Sequence, residues 1–299
     1  MSVRLKNLTA DDVRIERERF PRVFSATPRE LAVRWLVWGG TAVILLYGLY
    51  HFGFFSERFV HGFTKLGVMA AQLFPPAGWQ YMPQFLHSMA ETLAMAFLGT
   101  LIGATLAIPL GFLASKNMLP VRVLQFGFRR FSDVLRSADY LIWALIFVRA
   151  IGLGPLPGIM AIAIVDTGTL TKLYSEAIEN IDRRQIEGIR ASGGNWYQVV
   201  RFGVLPQVLP VMLSNALYMF ESNTRAATIL GIVGAGGIGF ELSDALRAFE
   251  FDRACLIIIM IIVVVYFIDF FSKRIRERFI RGDSLQQGTD ESVTLRVGS

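Results

Sequence analysis

The sequence predicts an all-helical integral membrane protein with six transmembrane helices, and three observations carry that reading. Hydrophobic residues make up 53% of the 299 and charged residues only 18%, too little charge to cover a soluble domain of this size. Apolar runs recur that are long enough to cross a bilayer, which takes about 20 residues of helix. The basic residues gather between those runs, so the net charge of +6 reads as membrane topology rather than as affinity for nucleic acid.

The first expected span is 35–55, preceded by a long charged stretch that does not look like a signal peptide. The second, 85–114, contains Pro109 as a kink point. The apolar stretch 138–174 would be ~55 Å long as one helix, too long for a single crossing. Gly152, Gly154, Pro155 and Pro157 divide it into a third and a fourth span. The fifth is 205–230 and the sixth 254–271. Between the first and second, Phe63, Leu66, Met69, Ala70 and Leu73 recur at helical spacing. That pattern fits a helix lying on the outer membrane interface or an ordinary packed loop helix.

Residues 1–34, 115–137, 174–202 and the tail from Lys273 together hold 23 lysines and arginines, against 4 in the alternate loops. By the positive-inside rule this places both termini in the cytoplasm of a multi-pass inner-membrane protein. The expected organisation is a cytoplasmic segment 1–34, a first span with its periplasmic loop over 35–84, a six-span core completed by 85–278, and a cytoplasmic tail 279–299. The polar stretch from Gly282 is expected to be unordered. Cys255, the one cysteine, sits in an apolar run and reads as a small packed side chain.

The most informative segment follows the fourth span. Asp182 with Gln185, and Asn195 with Gln198, form capping-box patterns on either side of Gly193 and Gly194. Two short helices therefore meet at a glycine turn. Ile186 and Ile189 share one face, and Glu187 and Arg190 another. Spacing alone leaves open a hairpin that merely covers helix ends. A DNA-reading helix-turn-helix is excluded by the spans that flank it closely.

This hairpin resembles the EAA loop of binding-protein-dependent ABC permeases. Glu187, Gly193, Leu205 and Pro206 stand at the family's spacing, while Gly188 and Ile189 replace its two alanines and Gly203 its isoleucine. Further stretches resemble phosphonate-importer permeases: 172–179, 217–225 and the glycine-rich string 230–239. The likeness runs from about Phe85 to Arg278. It implies a type I importer permease fold in which the loop, with Glu187, Arg190, Gly193, Leu205 and Pro206, is the helix that couples to an ATPase. It also implies a homodimer, two cytoplasmic ATPase subunits and a periplasmic phosphonate-binding protein. ATP and magnesium then belong to the ATPases. This chain has no P-loop, since none of its lysines follows a glycine.

Ionisable and polar groups inside the spans remain to be placed. Glu221 and Arg225 are spaced to pair on one helix face. Alternatively Arg225, with Asn223, lines a path for an anion, because a guanidinium fork suits phosphonate oxygens. Glu91 and Asp166 pose the same choice. Gly234, Gly236, Gly237 and Gly239 match a dinucleotide fingerprint, but an apolar helix precedes them where that motif needs a strand. They serve close packing or present backbone N–H groups to an anion. His51, His61 and His87 are scattered, and no metal or catalytic constellation is evident. A secondary transporter would call for inverted repeats, of which none is visible, and a membrane scaffold would leave the EAA spacing to coincidence.

Overall fold

A computed structural model describes residues 28–297 except 55, 119 and 120. Among the described residues the chain is helical with no strand. It divides into two units, 1–71 and 72–299. The first holds α1 (Pro28–His51) and nearly all of α2 (Glu57–Gln72). Helix α1 starts seven residues before the expected span, and α2 occupies part of the predicted amphipathic loop. Phe63, Leu66 and Met69 of α2 are exposed. Residues 1–27 of the expected cytoplasmic segment lie outside the described residues.

The second unit contains α3 (Met82–Ala114), α4 (Arg122–Leu135), α5 (Tyr140–Ile151) and α6 (Pro155–Glu179). These are followed by α7 (Arg183–Ala191), α8 (Leu205–Leu230), α9 (Gly237–Arg247) and α10 (Phe251–Val297). Among the described residues five helices are long and apolar enough to cross a membrane, and α5 is a shorter apolar helix. The division of 138–174 falls where the glycines and prolines put it. Gly152 and Gly154 have φ of 106° and 136°, and Pro155 and Pro157 open α6, where a missing N–H costs nothing.

The core is the seam between α3 and α6. A Cβ on Gly99 would lie 2.6 Å from Ile162, one on Gly103 2.6 Å from Asp166, and one on Gly111 2.8 Å from Tyr174. The two backbones run in the same direction at the close approach that only glycine permits, as between helices in lipid, where dispersion replaces the hydrophobic effect. Helix α8 packs onto this pair through Ala227 and Leu230 near Met95, and through Val208 and Met212 near Tyr174. At the end far from α7, Phe85 and Met89 of α3 meet Ile238 of α9 and Ala254 and Ile257 of α10.

Two expectations are corrected. Residues 115–137, read as a cytoplasmic loop, contain helix α4, which packs lengthwise on α6. Its start is tied to the α7 end, where Gln125 and Arg129 donate to the Ala114 carbonyl. Its other end reaches Gly168, whose Cβ would lie 2.7 Å from the Ser132 carbonyl. Helix α5 then continues past Asp166 toward the far end. The third span is thus one antiparallel partner of α6 in two pieces, with a joint near the middle of α6. The charged residues of α4 concealed it, because hydropathy sees only its apolar half. Secondly, the backbone from Gly282 is helical as far as Val297 rather than unordered. No proline interrupts 251–297, so backbone stereochemistry does not stop the helix.

Replacing Gly103 by leucine should force α3 from α6 and lower the melting temperature of the detergent-solubilised protein, at a cost of ~1–3 kcal/mol. Gly127→Ala, at a position with open space around it, should leave it unchanged or slightly raised.

Candidate functional site

Asp166 sits midway along α6 and is wholly buried. Its carboxylate accepts from Asn223 Nδ2 of α8 at 2.5 Å and from the Tyr140 hydroxyl of α5 at 3.2 Å. The same Asn223 amide donates to Thr100 Oγ1 of α3 at 2.7 Å. Four helices are thereby tied at one level, and only the Asn223 Oδ1 has no partner. Buried polar groups must be paired in this way, since an unmet one in an apolar surrounding costs several kcal/mol, roughly. Asp166 and Asn223 thus contact neighbouring helices of their own chain.

Arg225 and Glu221 lie on the other side of α8. Arg225 donates to both oxygens of Asp269 on α10, at 2.9 and 3.0 Å, and stands 3.8 Å from Glu221. Glu221 is also 3.7 Å from Arg276. The pair suggested by i,i+4 spacing is therefore part of a four-charge network across α8 and α10. Asp269 and Arg276 were missed by sequence reasoning, although an acid inside the otherwise apolar sixth span was a signal in itself. Glu91, on α3, is part-exposed and 3.4 Å from His87.

The glycine-rich string forms a π-helical turn, Gly231–Ala235, and then α9. Gly234, Gly236 and Gly237 have φ of 104°, 76° and 70°. A Cβ at Gly239 would collide with the Thr228 carbonyl and one at Gly237 with the Thr92 hydroxyl. The Ile238 N–H is taken by Thr92 Oγ1 at 2.8 Å, and the Gly234 carbonyl accepts from the Gly154 N–H. Nearby, Arg253 is stacked over Tyr81 and Phe85 and paired with Glu241 at 2.9 Å, fixing the start of α10 to α9.

At the opposite end, in the hairpin, one of the two expected capping boxes forms; the other is half formed, because the Asp182 N–H donates to Gln207 rather than to Gln185. The Asp182 side chain caps α7. Asn195 and Gln198 exchange both capping-box hydrogen bonds at 2.8 and 2.9 Å, and Gly193 takes φ of 82°. Ile186 and Ile189 pack over Gly203, where a Cβ would lie 3.1 Å from Ile189. The glycine that departs from the EAA pattern makes room for the isoleucine that does likewise. Gln207, not singled out from sequence, links α7 to α8: it accepts from the Asp182 N–H at 2.9 Å and donates to the Gly203 carbonyl at 2.6 Å. Leu205 and Pro206 open α8. Glu187 and Arg190 are exposed, with no ion partner among the described residues. They border a surface groove of about 580 Å³ with Lys116, Asn117 and Trp196. Behind it, Glu179 at the end of α6 pairs with Arg129 and accepts the Lys116 N–H.

Residues 107–281 match the family described as binding-protein-dependent transport system inner membrane component. The chain belongs to that family. It is a multi-pass inner-membrane permease subunit of an ABC importer, the non-catalytic component of a system whose ATPase and solute-binding partners are separate. The chain is 39% identical over 218 residues to a phosphate-import permease protein, PhnE, of Mycolicibacterium smegmatis, aligning 73% of its own length with 41% of that protein's. It is 36% identical over 225 residues to the phosphite transport system permease protein PtxC of Stutzerimonas stutzeri, covering 75% of this chain and 81% of that one. Over 121 residues it is 50% identical to a putative cryptic phosphonate transport system permease protein, PhnE2, of Escherichia coli, covering 40% and 99%. Among solved structures, the inward-facing MetNI methionine ABC transporter superposes with a TM-score of 0.59 at 23% identity, over 68% of this chain and 99% of that one. An alginate importer chain superposes at 0.56 and 16% identity, over 84% and 98%. These two share the fold.

Asn223→Leu should remove the donor shared by Asp166 and Thr100 and destabilise the protein by ~1–3 kcal/mol. A thermal shift in detergent measures it, and an unchanged melting temperature would remove the cluster from the role given to it here.

Proposed function

We propose that two copies of this chain form the membrane pathway of an ATP-driven importer for phosphonate or a related phosphorus oxyanion. The observation that carries the substrate class is the set of relatives. Permeases from three organisms, 36–50% identical, are named for phosphate, phosphite and phosphonate transport. The hairpin and both termini face the cytoplasm, a reading supported by the basic-residue asymmetry.

In this reading the exposed hairpin is the contact for the ATPase. Glu187 and Arg190 offer charges to that partner, and Trp196 supplies an apolar anchor at 65% exposure. Gly193, Leu205 and Pro206 hold the hairpin's shape and its junction with α8. A short helix joined to α8 through Gln207 carries a rigid-body displacement of the ATPase into helix tilt. ATP and magnesium reside on the two ATPase subunits, and a periplasmic binding protein delivers solute to the far end, beside the glycine-rich turn. Of the residues considered for the pathway, Glu91 and Arg225, with Asp269, have the exposure to line it, while Glu221 is largely enclosed behind them. Asp166 and Asn223 serve as the internal tie that keeps the moving helices in register.

Affinity purification in mild detergent should bring down a stoichiometric P-loop ATPase whose activity rises with oxyanion-loaded binding protein. Glu187→Ala should leave the melting temperature unchanged and reduce ATP-dependent uptake about tenfold or more, the scale of one lost charged contact at an interface. A chain that purifies alone and imports solute on an ion gradient would replace this reading with a secondary transporter.

A further inference from the structure

Helix α6 is enclosed almost all round. From Pro157 to Glu179 only Lys172 and Glu176 are exposed. Both are charged, and they stand 3.9 Å apart. Lys172 stands seven residues, about 10 Å, before the end of α6, and Glu176 lies within its last turn.

Beside them runs α4, whose outward surface is split lengthwise. One strip carries Val123, Leu124, Phe131 and Val134, all more than half exposed. The other carries Arg122, Arg130, Asp133 and Arg136, with the exposed ring of Phe126 among them, 5.0 Å beneath the Arg130 guanidinium. Asp133 holds both neighbouring guanidiniums, accepting from Arg130 at 3.1 Å and from Arg136 at 2.8 and 3.2 Å. Lys172 adds its field to the same carboxylate. The Arg136 backbone lies against Gly168, eleven residues or about 16 Å from the end of α6. A ladder of charges therefore climbs from the hairpin end to mid-depth, on a helix whose other strip is apolar. Lipid fits the apolar strip. The charged strip calls for water or an ion, because charges at that depth are expensive in hydrocarbon.

From this juxtaposition we infer that the charged strip of α4, with Lys172 of α6, lines a water-filled passage and forms a binding site for the anionic cargo in its inner half. The inference deepens the transport reading above and rests on it. Arg130 and Arg136, braced by Asp133, present two forks at fixed spacing. Such an arrangement suits the tetrahedral oxygens of a phosphorus oxyanion, which each guanidinium contacts through paired N–H groups. Asp133 and Glu176 keep the site from being so positive that the anion could not leave.

The test uses the full complex with Cys255, its permease's only cysteine, replaced by alanine. Single cysteines at 130, 136 and 172 should react with a membrane-impermeant thiol reagent, and saturating phosphonate should slow the reaction. Cysteines at 131 and 134, on the same helix, should stay unreactive. Arg136→Gln should reduce uptake about tenfold, the scale of a lost charged hydrogen bond, with the melting temperature of the purified complex unchanged; Arg136→Lys should restore part of the uptake. Equal reactivity of the two strips, or full uptake by Arg136→Gln, would overturn the inference. If the wild-type complex carries no phosphorus oxyanion, the substrate reading fails instead, and the labelling pattern still decides the strip.

Discussion

Burying Asp166 is the constraint from which the helix arrangement follows. A carboxylate at the middle of a long membrane helix must find its hydrogen bonds from protein. It finds them on α5 and α8, while the amide that serves it also engages α3. These partners come close enough only because Gly103 lets α3 rest against the Asp166 side chain. Polar bonding and small-residue packing are thus one device. The bonds fix which helices meet and at what level, and the glycines let the backbones meet there.

The two ends of the bundle are locked by different chemistry, in keeping with what each has to do. At the far end Arg253 is nearly enclosed, stacked on two aromatic rings and paired with Glu241, and the glycine string is packed against Thr92 and Thr228. That end is rigid. At the hairpin end Ile186 and Ile189 pack over Gly203, and polar contacts complete the join: Gln207 to Asp182, Arg129 to Glu179, Asn117 to the last carbonyls of α6. Such links hold a short helix in orientation without burying it.

The charged surface of α4 runs from the hairpin end to the middle of α6. It belongs neither to the sealed core nor to the hairpin, and it breaks the third span where Asp166 binds Tyr140. Discontinuous helices in membranes are tolerated where freed backbone groups are satisfied and where the break borders protein or water. Here the Arg136 and Ser137 N–H groups are returned to α4 carbonyls, the Leu135 carbonyl accepts from the Trp143 indole, and Asp139 caps α5.

Much of this was legible in the sequence because it is local. Hydropathy found the long spans, glycine and proline found the break before α6, and capping chemistry found the hairpin, since each depends on residues within a few positions of one another. The partners of Asp166, Asn223 and Arg225 were not legible, because Thr100, Tyr140 and Asp269 are remote in the chain and meet them only after packing. Helix α4 was misread for a related reason. Its arginines resemble a cytoplasmic loop unless one knows that α6 lies alongside to shelter one face. The sequence by itself determined the long spans, the break before α6, the hairpin, and which residues are too polar for lipid. Only the tertiary structure decided which of those residues are paired, because pairing in a membrane is set by the level and rotation at which close-packed helices meet.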